Sequence, residues 1–461
     1  MKLNRLMLAA LKSGSGKTTI TCALLKALKD NGQSVVSFKC GPDYIDPMFH
    51  KKVIGIPSKN LDTFFTDENL TKELFLRNLN EDNFAVIEGV MGLYDGLGGI
   101  REEGSSYHLA KVTNTPIILV IDAKGMGRSI IPMIAGYLSY DKEHLIQGVI
   151  LNKMSKSYYD VIKPLIEIEL NISVLGCFPD QKDIQIQSRH LGLILPDELS
   201  DIQQQLCNLS DEFKKTVDIE AINDIANQAK EIDITYNDLR TNGYDSNNTS
   251  SSPVIAVAYD EAFCFYYEDN LSLLKDYGAR IEYFSPLHDK KLPDECDAIL
   301  IGGGYPEIYA DELSKNICML KSVKCAFDKG LPIVAECGGF MYLHEELTDA
   351  EGITYKLVSA IDGRCEYKGK LVRFGYVNIK EKQTNFLREG EYIRGHEFHY
   401  YDSTNNGDDC IIQKPVTGRE YESVIEGDNL WAGFPHLYYP SNPSFAKMFV
   451  QKAVEYKKHR V

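Results

Sequence analysis

The sequence predicts an α/β protein of two domains, and three observations carry that reading. Short apolar runs alternate with amphipathic stretches in the first half, which is the pattern of a parallel sheet covered by helices on both faces. The same alternation starts again after residue 253. Between the two series lies "TYNDLRTNGYDSNNTSSSP", rich in Asn, Ser, Thr and Gly and without apolar period, as a linker is. A chain of 461 residues is also too long for a single core.

In the first series Leu3–Ala10, Val35–Lys39, Phe84–Glu88, Pro116–Ile121, Gly148–Asn152 and Val174–Cys177 read as strands, with helices at Thr18–Asp30 and Ser129–Tyr140. The pattern turns helical and polar from Asp197 to about Ile234. Beyond the linker, Val254–Tyr259, Arg280–Phe284, Ala298–Ile301 and Ile333–Glu336 read as strands, with Glu268–Tyr277 and Leu313–Lys329 as helices. The expected division is residues 1–195, a helical extension over 196–234, the linker over 235–252 and a second domain over 253–461.

A net charge of −16 argues against nucleic-acid or anionic-membrane partners, which want a basic face. The eleven cysteines fall singly and form no C-x-x-C pair, which favours reduced thiols and a cytoplasmic setting. The opening "MKLNRLMLAALK" places Lys2 and Arg5 before an apolar run, yet that run ends at Lys12 and a glycine loop; it reads as a buried first strand, not a leader.

That strand runs into "LKSGSGKTTI". Backbone N–H groups of Gly14, Ser15 and Gly16 can wrap a phosphate at a helix N-terminus, Lys17 can reach the outer phosphates, and Thr18, followed by Thr19, can hold Mg²⁺. Leu11 stands where the common loop has its first glycine, so the string is a deviant phosphate loop with an early second lysine, Lys12. The alternatives are a surface turn for the loop and a solvated side chain for Lys12. Ligands of such sheets bind beyond the carboxyl ends of the strands. "CGPDYIDP" and "EGVMGLYDG" are therefore expected on the rim beside the loop. Asp43, Asp46, Glu88 and Asp95 then supply hard oxygens to Mg·ATP, with Pro42 and Pro47 stiffening the corner. For Asp43 and Asp46 a turn- or helix-capping role is the competing reading.

In the second series "LPIVAECGGFMYL" is strand, cysteine and helix, the pattern of a nucleophile elbow, with Ala335 replacing the usual glycine. Backbone N–H groups near Cys337, including that of Gly338, and the turn "GGGYPE" with Gly303 and Gly304 are candidate oxyanion donors. An unreactive buried thiol is the alternative. His396, His399 and His436 are the candidate bases, and placement after a short strand favours His436.

Taken together, "SGSGKTT", "FKCGPDYIDPMFH", "VIEGVMGLYDG", "SRHLGL", "AFCFYY", "GGGYPE", "AECGGFMYL" and "GHEFHY" resemble the cobyrinic acid a,c-diamide synthase family over nearly the whole chain. The resemblance implies a dethiobiotin-synthetase-like P-loop domain followed by a class I glutamine amidotransferase domain. It implies a ligase that uses ATP, Mg²⁺ and L-glutamine to amidate the a- and c-acetate groups of cobyrinic acid, through an acyl phosphate and internally delivered ammonia. Cys337 would be the glutaminase nucleophile and His436 its base, with Tyr438 where the general amidotransferase triad has glutamate. Asn152 would meet adenine. Tyr44, Asp46, Asp95, Arg189 and His190 would serve the synthetase site, and Lys51, Lys52 and Lys153 are further basic candidates for the corrin carboxylates. A nickel-sirohydrochlorin a,c-diamide synthase shares this architecture, and a regulatory or partitioning P-loop ATPase is the rival of another class. The oligomeric state is open, a homodimer being one option.

Overall fold

The computed structural model describes residues 3–77, 79–180, 196–233 and 252–460, and the chain divides into two compact units, Met1–Asn237 and Asp238–Val461. Arg189 and His190, the string "SRHLGL" and residues 235–251 of the expected linker lie outside the described residues.

The first unit is built on β1 (Asn4–Ala10), α1 (Lys17–Asp30), β2 (Ser34–Cys40), α2 (Ile45–Phe49), β3 (Ser58–Leu61), α3 (Glu68–Leu76) and β4 (Asn83–Glu88). It continues through α4 (Ser106–Val112), β5 (Ile117–Asp122), α5 (Ile130–Tyr140), β6 (Ile146–Asn152), α6 (Lys156–Leu170) and β7 (Ser173–Phe178), then α7 (Pro196–Thr216) and α8 (Ile219–Asn227). The seven strands form one sheet in the order β3-β2-β4-β1-β5-β6-β7, every neighbouring pair parallel. All strands therefore end on one rim. β1 is apolar from Leu6 onward because both its faces are covered: Leu6, Leu8 and Ala10 pack with Leu24 and Leu28 of α1 and with Leu206, Leu209 and Phe213 of α7. Helices α7 and α8 are thus part of this unit's core. Arg5 is fully buried in β1 and its guanidinium is consumed by carbonyls of Leu3, Thr113, Asn114 and Lys230, which ties the chain after α8 back to the first strand.

β3 is absent from the expected strand set. Its sequence, Ser-Lys-Asn-Leu, has a single apolar residue because it is an edge strand paired only with β2.

The second unit has a six-stranded sheet in the order Arg280–Phe284, Val254–Ala258, Ala298–Ile301, Ile333–Glu336, Leu430–Gly433, Ile425–Gly427, parallel except for the last pair. A five-stranded antiparallel sheet adds Arg373–Glu381, Tyr392–His399 and the two-residue strand His436–Leu437. The stretch Leu313–Lys329, expected as one helix, is two: Ala310–Lys315 and Ile317–Asp328, broken at Asn316. Asn316 leaves helical geometry because its side chain bonds elsewhere. Its Nδ2 donates to the carbonyls of Pro286 (2.8 Å) and Asp289 (2.7 Å), and Oδ1 accepts from Met319 N–H (3.5 Å) as the cap of the second helix. No helix among the described residues is long and apolar enough to cross a membrane.

Candidate active sites

The turn after β1 puts Gly14 and Gly16 in the left-handed region (φ 76° and 89°) and opens α1 at Lys17, so the N–H groups of the loop converge at a helix N-terminus. Asn152, at the end of β6, donates from Nδ2 to the Ser15 carbonyl at 2.8 Å. A Cβ on residue 16 would lie 2.2 Å from that nitrogen, so only glycine fits there. The residue expected to meet adenine thus braces the loop. Thr19 follows on α1, and Lys12 is exposed.

Lys17 is mostly buried and donates to the Met91 carbonyl at 2.5 Å; burial first, then the nearby Lys39, lower its pKa to about 8. Thr18 Oγ1 donates to Glu88 Oε1 at 2.7 Å. The strand register Lys39↔Glu88 sets those two side by side at the carboxyl ends of β2 and β4. Lys39 Nζ is 2.9 Å from Glu88 Oε1 and 2.5 Å from Asp46 Oδ2, all three nearly dry. Burial disfavours charge on Lys39, but Asp46 and Glu88 outweigh it and hold the ammonium above its ordinary range. Burial likewise opposes ionisation of Asp46, and Lys39 overcomes this and keeps the carboxylate below its usual range. Glu88 is pushed up to about 7, by burial and then by Asp46.

Asp43 uses Oδ1 to accept the Ile45 N–H at 2.8 Å, the turn-capping contact allowed as its alternative; burial and Asp46 raise it to about 6. Its own carbonyl and that of Gly41 are held by Asn60 of β3. Tyr44 is buried beside it, whereas Asp95 is exposed and accepts the Gly92 N–H at 3.0 Å. His50 closes the corner: its Nδ1 is 3.1 Å from Ser37 Oγ, its Nε2 3.5 Å from Glu88 Oε2, and burial depresses it to about 4, so the ring is neutral. Lys39 and His50 are the participants that the sequence reading did not single out. Both stand inside "FKCGPDYIDPMFH", where an interior lysine at a strand end was the available signal. Lys51 and Lys52 are exposed, and Lys153 pairs with Asp122 at 2.8 Å.

In the second unit Cys337 sits at the strand-to-helix elbow with φ 48° and ψ −100°, a strained geometry for a non-glycine residue. Its N–H donates to the Gly433 carbonyl at 2.8 Å, next to the strand-end pair Glu336↔Gly433, and His436 follows three residues later. The Gly303-Gly304 turn comes against this corner: a Cβ on residue 303 would lie 2.3 Å from His436 Cε1. The Gly338 N–H faces the thiol. Burial and then Glu307 raise the thiol pKa well above its ordinary value, so Cys337 rests protonated. Burial and the neighbouring His399 lower His436 to about 3, so it rests as a neutral imidazole able to accept a proton. Glu307, raised to about 7 by burial, and Glu336, raised to about 8 by burial, flank the elbow. His399 is otherwise engaged, its Nδ1 bonded to the Tyr401 carbonyl and its ring stacked on Phe434.

Residues 6–194 match the CobQ/CobB/MinD/ParA nucleotide binding domain, and residues 254–443 match the CobB/CobQ-like glutamine amidotransferase domain. A nucleotide-binding sheet joined in one chain to a cysteine elbow of amidotransferase type defines a glutamine-dependent ligase. The chain is 38% identical over 450 residues to the cobyrinate a,c-diamide synthase of Caldanaerobacter subterraneus subsp. tengcongensis, covering 97% of each. The enzyme of that name from Clostridium tetani is 38% identical over 456 residues, 98% of this chain and 100% of that one. The one from Thermoplasma volcanium is 38% identical over 469 residues, 100% of this chain and 99% of that one. The chain belongs to the cobyrinate a,c-diamide synthase family. A partitioning ATPase has no use for the amidotransferase domain, and that reading is set aside.

Proposed function

We propose that the protein amidates the a- and c-acetate carboxylates of cobyrinic acid, with ATP as the activating and glutamine as the nitrogen-supplying substrate. The observation that carries this reading is the match, end to end, to relatives of that name. A carboxylate is a poor acyl donor. Its oxygen attacks the γ-phosphorus of ATP, ADP leaves, and the acyl phosphate so formed loses inorganic phosphate when ammonia attacks its carbonyl carbon. Gly14, Ser15 and Gly16 hold the phosphates, Lys17 neutralises the charge that develops on them, and Asn152 keeps the loop in place. Thr19 and Asn152 complete the nucleotide site, and Tyr44, Asp46, Asp95, Arg189 and His190 serve the acceptor.

Mg²⁺ fits the donor set. Thr18 and Glu88 present hard oxygens beside the loop, and Glu88 Oε2 is buried without a hydrogen-bond partner. Among the described residues no three His, Cys, Asp or Glu side chains form a metal cage, which suits an ion that takes much of its shell from phosphate and water. Thr18, Glu88 and Asp43 would hold it, and when bound it offsets the negative charge that phosphates and carboxylates share.

At the other centre Cys337 gives its proton to His436 and attacks the glutamine carboxamide. Ammonia leaves with that proton, and water hydrolyses the thioester to glutamate. The Gly338 N–H with Gly303 and Gly304 stabilises the oxyanion. Ammonia stays within the protein on its way to the acyl phosphate, since in bulk water it would be protonated. Mass spectrometry of cobyrinic acid and of nickel sirohydrochlorin, each incubated with the protein, Mg·ATP and glutamine, tests the reading. Two carboxyl-to-amide conversions on cobyrinic acid are expected; conversion of nickel sirohydrochlorin alone would overturn the choice of ring.

A further inference from the structure

The segment that carries His436 reads His-Leu-Tyr-Tyr-Pro-Ser, so it contains no carboxylate to orient the imidazole. It is nevertheless fixed on both sides. Asn270, in the first turn of helix Glu268–Asp276, donates to the Leu437 carbonyl (2.8 Å) and accepts from the Tyr439 N–H (2.8 Å). On the other side the register His396↔His436 places two histidines opposite each other on neighbouring antiparallel strands. Their rings stack with centroids 4.8 Å apart and planes 15° from parallel. His396 Nδ1 is in turn 3.1 Å from the Tyr267 hydroxyl, and the Tyr267 ring meets Tyr438 edge-on at 5.2 Å. Tyr438 is anchored by its hydroxyl, which donates to Asp269 Oδ2 at 3.0 Å. All six of these side chains are buried.

We propose that His396, held by Tyr267, is the positioning residue for His436, doing with a stacked ring what a carboxylate does through a hydrogen bond. The inference rests on the reading of Cys337 and His436 as the glutaminase pair. Stacking fixes the plane of the base against Gly303 and the elbow. It also offers a π face to the imidazolium that forms when His436 takes the thiol proton, while leaving no permanent charge in a dry site that already holds Glu307 and Glu336. The ring of His399 is stacked on Phe434, whereas the ring stacked on His436 is that of His396.

Glutaminase kcat and KM, with ammonia-dependent amidation as the control for folding, test the proposal on the full chain. His396→Ala is expected to lower glutaminase kcat by about 10–100-fold, the scale of a small misplacement of a catalytic group, with KM changed by less than about threefold. His396→Phe keeps a flat ring and should recover most of that loss; Tyr267→Phe should lower kcat by only a few fold, on the order of 1 kcal/mol for one hydrogen bond. Wild-type kcat in His396→Ala would overturn the proposal, as would equal losses in the Ala and Phe variants. Cys337→Ala in the same assay separates the two readings. Glutamine hydrolysis surviving in Cys337→Ala removes the glutaminase centre itself, whereas its loss there beside a fully active His396→Ala removes only the positioning role.

Discussion

Lys39 is an ammonium with almost no water, 4% exposed, and it stays charged only because Asp46 and Glu88 lie against it. Removing one of them leaves the other against the ammonium, whereas losing both would strand the charge at about 3–5 kcal/mol. Asp43 is a cleaner probe of the corner, because its Oδ1 bonds the Ile45 N–H and its charge acts on Lys39 less than those of Asp46 and Glu88 do. Asp43→Asn can keep that cap, so the fold should hold, with a melting temperature within about 3 °C of wild type. If Asp43 serves the metal, amidation should fall by more than about tenfold while glutamate release continues, since a neutral amide is a poor ligand for a hard dication. Unchanged amidation with normal Mg²⁺ dependence would leave only the cap. Glu336 permits a pH test. Burial raises its folded pKa to about 8, against ~4.3 for an unfolded glutamate, so between those values the folded state binds more protons and stability falls as pH rises. Glu336→Gln, which can still accept from the Tyr439 hydroxyl, should flatten the decline in melting temperature from about pH 5 to 8. Superimposable pH profiles would show that the carboxyl does not carry it.

At the scale of elements, the breaks matter as much as the runs. Leu313–Lys329 has the composition of one helix, and only the three-dimensional placement of the Pro286 and Asp289 carbonyls makes Asn316 worth more as a bracket than as a helical residue. Asn316→Ala removes a cap and leaves two carbonyls without their donor, an expected loss of about 2–3 kcal/mol in urea unfolding of the second unit. A loss below about 0.5 kcal/mol would mean that the break is imposed from elsewhere. β3 teaches the same lesson: an edge strand needs little apolar sequence, and this one earns its place through Asn60, which holds the backbone of the acidic corner. Strands with both faces buried were legible to the residue, as Ala298–Ile301 and Ile333–Glu336 illustrate, because such apolar runs have no other home.

At the scale of the whole molecule, two chemistries in two units should fail separately. Lys17→Ala is expected to weaken Mg·ATP use and reduce amidation by more than about 100-fold with either glutamine or ammonia, because the phosphate loop loses its fixed cation. Cys337→Ala should abolish only the glutamine-dependent reaction and leave the ammonia-dependent one near wild type. Steady-state rates with both nitrogen sources decide it; near-normal ammonia-dependent turnover in Lys17→Ala would put ATP elsewhere, and loss of both activities in a folded Cys337→Ala would make that thiol structural. By itself the sequence determined the two α/β units, the phosphate loop after the first strand and the cysteine at its elbow, because these depend on local order: a strand, a turn of small residues and a helix in succession. Only the tertiary structure decided the company each residue keeps. Lys39 meets Glu88 across a parallel ladder, and His396 meets His436 across an antiparallel one. Those pairings follow from strand register, which joins positions far apart in the chain and leaves no mark in the spacing of either one.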